Sequence, residues 1–106
     1  MTEYELTAKR IKMGFILRDD MEETARTSEN TLEIELAVFM AELTQQYARS
    51  WVTMTEKSED YLWWVINAQA DCLVKNLDRT IVRLKMRLSD YKGDDNDERK
   101  ESEATD

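Results

Sequence analysis

Proline is absent and glycine occurs only twice, at Gly14 and Gly93, so this chain holds almost nothing that obliges a helix to stop. An apolar stripe at helical spacing runs between those two positions. Over residues 20–55 it reads Met21, Ala25, Leu32, Leu36, Met40, Leu43, Tyr47, Trp51 and Met54. Leu32, Leu36 and Met40 recur eleven positions later as Leu43, Tyr47 and Trp51. That step is about 3.67 residues per turn, which keeps one face aligned along a nearly straight helix. The same step carries Leu62, Ile66 and Ala70 to Leu73, Leu77 and Ile81, and then to Leu84 and Leu88.

The pattern predicts an all-α fold built on a long antiparallel, coiled-coil-like hairpin. A short helix over 3–13 ends at Gly14, a residue that tolerates the left-handed conformation closing many helices. Asp19 and Asp20 follow, with Glu22 and Glu23 three residues on, as in a capping box. The stripe keeps its phase across Thr27–Thr31, although Ser, Thr and Asn compete with helical backbone bonding. One helix is therefore expected over 20–55, about 50 Å long. The chain turns at Thr55–Ser58, with Ser58 or Thr55 as cap, and the second long helix covers 58–91. A fold-back there sets residues 22–35, rich in glutamate, beside residues 78–91, which carry Arg79, Arg83, Lys85 and Arg87. Residues 1–92 make one helical domain. Residues 93–106 hold seven acids against two bases and no large apolar side chain, the composition of a disordered acidic tail.

A second row, Ile34, Val38, Ala41, Gln45, Ala48 and Val52, lies almost opposite the Leu36 row at 100° per residue. Between the two, Glu35, Glu42, Gln46, Arg49 and Thr53 mark a wet side. A helix apolar on two sides needs neighbours on both, and two long helices plus a short one form too thin a core to supply them. The Leu36 row is assigned to the chain's own next helix. The row of Ile34, Val38, Ala41 and Val52 is assigned to a partner, together with Trp51, Tyr61, Trp63 and Trp64, since buried Trp and Tyr are enriched at binding hot spots.

Chemistry is less well supplied. The chain has no histidine, which removes the commonest general base and metal ligand at neutral pH. Cys72 lies on a helical segment without an activating histidine and reads as a small half-buried residue beside Leu73. Glu35 and Glu42 share a face, but the Glu-x-x-His pair of a di-metal bundle is missing. No Gly-rich phosphate loop occurs. Lys75, Arg79, Arg83 and Arg87 form a basic ridge at i,i+4 spacing, read as charge that sets helix register. A net charge of −8 and the lack of interleaved aromatics disfavour nucleic acid as a partner.

The resulting expectation is a non-enzymatic helical subunit or adaptor, without cofactor or metal, that packs against another helical protein or a second copy of itself. The alternative is a small acidic inhibitor of viral or phage type that blocks a host protein or mimics nucleic acid. No apolar run is long enough to span a bilayer, and MTEYELTAKR has neither the apolar core of a secretory signal nor the basic character of a transit peptide. With a single cysteine, an intracellular location, cytoplasmic or nuclear, is expected.

Overall fold

A computed structural model describes residues 1–104, with side chains through Tyr91. It contains three helices: α1, Glu3–Thr27; α2, Thr31–Thr55; and α3, Tyr61–Ala104. The all-α expectation holds. The expectation of a disordered acidic tail over 93–106 concerns residues whose side chains lie outside the described ones.

The first break falls elsewhere than predicted. α1 runs straight through Gly14, which keeps a negative φ, and the chain bends at Ser28–Asn30 instead. Asn30 is extended (φ −97°, ψ 113°), and its Oδ1 accepts the amides of Leu32 at 3.0 Å and Glu33 at 3.4 Å. Ser28 Oγ accepts the Asn30 amide at 3.2 Å. Local side-chain bonding therefore outcompetes the helix in this stretch, and the long helix over 20–55 is two helices. The short N-terminal helix becomes 25 residues long, opened by Thr2, whose hydroxyl accepts the Glu5 amide at 3.1 Å.

The second break lies where expected, after Thr55, but with a different cap. Asp60 opens α3, its Oδ1 accepting the Leu62 amide at 3.0 Å and its carbonyl the Trp64 amide at 3.0 Å. The Thr55 hydroxyl instead donates back to the Trp51 carbonyl at 2.7 Å.

Side-chain contacts fix an up-down-up bundle. α1 is parallel to α3: the Tyr4 and Trp63 rings meet edge to face at 6.0 Å, and Glu22 pairs with Arg83 at 2.7 Å. At the same end, Arg87 donates to the Ser28 carbonyl at 2.9 Å. α2 is antiparallel to α3: Asn67 donates to the Val52 carbonyl at 2.9 Å, Gln45 to the Val74 carbonyl at 3.0 Å, and Lys85 pairs with Glu42 at 3.1 Å. Residues 22–35 and 78–91 do meet at one end. Arg83 finds a glutamate there, whereas Arg87 closes a helix terminus, satisfying a carbonyl that α1 leaves unbonded.

The core recurs every seven residues. On α2 Ile34, Ala41, Ala48 and Thr55 are enclosed at that spacing, with Gln45 between them; on α3 the enclosed positions include Ala70, Leu77 and Leu84 alongside Ile66, Leu73 and Thr80. α1 contributes Ile11, Gly14, Met21 and Ala25. Seven residues span nearly two turns, so each set forms a narrow seam along its helix. Gly14 lies in that seam because Leu73 needs the space. A Cβ there would come within 2.6 Å of Leu73 Cδ2, and this requirement for close approach explains a glycine in mid-helix.

Candidate partner-docking surface

The two apolar rows of α2 exchange the roles assigned to them. Ile34 and Ala41 are wholly enclosed by the chain's own atoms, and Val38 and Val52 are half-buried against the core. Leu32, Leu36, Phe39 and Tyr47 are each more than half exposed. The partner-facing assignment of Ile34, Val38, Ala41 and Val52 is thus corrected: these residues form the intramolecular seam. The reason is fit. Ala41 and Ala48 on α2 with Ala70 on α3, all fully buried, let the two backbones approach, which the bulkier Leu36 row does not permit.

The aromatic candidates divide. Trp63 is half-buried against Tyr4, and Trp51 is half-buried at the α1/α2 groove. Tyr61 and Trp64 are exposed, stacked on each other at 5.9 Å with their planes 27° apart. All four rings lie near one end of the bundle.

Of the basic ridge, Lys75 pairs with Asp71 at 2.9 Å on its own helix, a contact that raises the lysine pKa above its usual value. Arg83 and Arg87 tie α3 to α1, and Arg79 is exposed. Cys72 is exposed rather than half-buried, with Asn76 Nδ2 donating to its Sγ at 3.3 Å. Among the described residues no group of three or more His, Cys, Asp or Glu stands close enough together to hold a metal ion, and no helix is long and apolar enough to cross a membrane.

The feature that sequence reasoning missed is a groove between α1 and α2, on the side away from α3. Met13 and Leu17 form one wall, Met40, Leu43 and Tyr47 the other, with Gly14 and Thr44 between them and Arg10 and Trp51 at one end. Its lining is almost entirely apolar. The signal was present: Met13 and Leu17 belong to a single face of α1 only once α1 is read as continuous through Gly14.

Two half-buried charges, Arg18 and Glu22, lie on α1. Arg18 occupies a seam position on α1, its guanidinium 5.9 Å from the Phe15 ring centre and 2.9 Å from Asp19, while its Nε is buried without a hydrogen-bond partner. Burial alone would raise the pKa of Glu22. Hydrogen bonds from Thr80 and Arg83, with the positive charges of Arg83 and Arg18, outweigh it and hold the carboxyl below its ordinary value. Gln45 is a polar residue buried in the α2/α3 seam, donating to the Val74 carbonyl and to Asp78 Oδ1.

Compared with known proteins, the chain matches no family model, no curated protein and no solved structure.

Proposed function

We propose that this protein is a non-enzymatic helical subunit or adaptor that assembles with another protein through the α1/α2 face. The observation that carries the reading is the row of Leu32, Leu36, Phe39, Met40, Leu43 and Tyr47, continuous along α2 and exposed to solvent after the three helices have packed. Isolated exposed apolar residues are ordinary, but a contiguous patch of several hundred Å² marks an interaction site. A groove between two antiparallel helices suits a further amphipathic helix, which would complete a four-helix arrangement.

The test is site-specific photocrosslinking in native extract. A photoreactive residue replacing Leu43 or Tyr47 is expected to trap protein, either another species or the chain itself, whereas one replacing Ala68 on the exposed face of α3 is not. Equal yields at both faces would contradict the reading.

A further inference from the structure

Resting on that reading, we infer that the occupant of the α1/α2 face is a second copy of this chain, docked antiparallel about a two-fold axis near residues 14–15 of α1. Three observations on α1 and α2 converge on this partner.

The first is the charge order along α1. In the middle of α1 the exposed bases Lys9, Arg10 and Lys12 precede the apolar run Met13–Leu17 and the exposed acids Asp19, Asp20 and Glu23 follow it, with Glu3 and Glu5 in the first turn and Arg26 in the last. Lys9, Ile16 and Asp20 lie on one outward face, next to Met13. Among the described residues, Lys9, Arg10 and Asp20 have no ion-pair partner, while Arg49, Lys75, Arg83 and Lys85 all do. The helix dipole acts on the terminal turns, where Glu3, Glu5 and Arg26 already suit it, so it does not account for the charge order in the middle of α1. A second α1 running the opposite way does gain. An axis between residues 14 and 15 sets Lys9 against Asp20 and Met13 against Ile16, and each pairing occurs twice. A parallel copy would set like charges together.

The second is self-complementary shape. A two-fold contact requires one surface to match itself, residue i meeting j and j meeting i. The apolar strip of α1 is centred on the same point as the charge reversal, so a single axis satisfies both.

The third is area. Met13, Ile16, Leu17, Met40, Leu43 and Tyr47, with Leu6 and Leu36 at the ends of the strip, are each between 36% and 59% exposed. For side chains of these sizes the total is about 800 Å², the amount that each partner contributes to a standard stable interface.

Sedimentation velocity and equilibrium on the full chain test the inference. The wild type is expected to be dimeric at about 100 μM and to dissociate on dilution into the low micromolar range. Tyr47→Glu and Met13→Glu, both at exposed positions, are expected to give monomers with unchanged far-ultraviolet circular dichroism. Lys9→Glu and Asp20→Lys should each weaken the dimer about tenfold at low salt, and the double variant Lys9→Glu/Asp20→Lys should recover to within about threefold of wild type. A wild type that stays monomeric at about 200 μM overturns the inference, as does a dimer indifferent to the charge reversals or one whose double variant fails to recover. A monomeric wild type that still crosslinks another protein through Tyr47 would refute self-association while leaving the assembly role standing.

Discussion

Removing the Ile34 side chain beyond Cβ and removing that of Leu36 are nearly identical changes in composition, two residues apart on one helix. The fold makes them very unequal. Ile34 is 0% exposed and Leu36 is 56% exposed. Ile34→Ala deletes three buried carbons, each worth about 0.8 kcal/mol of transfer free energy, and leaves a cavity that neighbouring helices only partly fill. The expected cost is about 2–5 kcal/mol. Leu36→Ala removes surface that is mostly wet already, so in the monomer the cost is expected to stay below about 1 kcal/mol. A domain of this size has only about 5–15 kcal/mol to lose, and 1 kcal/mol shifts Tm by about 4–8 °C. Thermal and urea unfolding followed at 222 nm, at a concentration where the chain is monomeric, would therefore separate the two variants by at least about 4–8 °C. Leu36→Ala costing as much as Ile34→Ala under those conditions would refute the assignment of faces. A Leu36→Ala cost that appears only at high concentration is the signature of the dimer, since association adds stability by mass action.

Other outcomes follow from the same packing. Gly14→Ala should destabilise despite a gain in helix propensity of about 1 kcal/mol, because Leu73 must move in a closed core; in a double-mutant cycle with Leu73→Ala the two costs should couple by about 0.5–3 kcal/mol, and strict additivity would disprove the contact. Asn30→Ala should cost about 1 kcal/mol, measured by urea denaturation, and Asn30→Ser much less, since serine also accepts the first amides of α2. Glu22→Gln should lose about 1 kcal/mol at neutral pH. Because the folded-state pKa of Glu22 lies below its ordinary value of 4.5, its contribution is fully present above that value and is lost as pH falls through the depressed one. The stability gap between wild type and Glu22→Gln should accordingly close in strong acid; a gap that widens there would contradict the depressed pKa. Arg18→Met should be neutral or stabilising by denaturant midpoint, because it removes a buried Nε that has no partner, and a loss above about 2 kcal/mol would mean that the guanidinium holds the seam together.

Local chemistry fixed the elements of this protein. Helix content, the turn after Thr55 and the apolar line of α3 from Ile66 to Leu84 are legible in the residues, because periodicity and the absence of proline act on each segment alone. Even the missed break had its sign: Asn30 with Glu33 three residues on, like Thr2 with Glu5, is a helix start that the unbroken eleven-residue stripe overrode. The outward face of α2 could not be read that way. Both of its rows are apolar, and the row with the larger side chains attracts attention in a sequence because hydropathy grows with size. Burial between helices instead selected the row that permits closer approach, Ile34, Ala41 and Ala48 repeating at seven, matched by Ala70 and Leu77 across the seam. That choice depends on two surfaces fitting each other, a property that belongs to neither segment alone, and it is what turned the Leu36 row and the Met13–Leu17 strip outward.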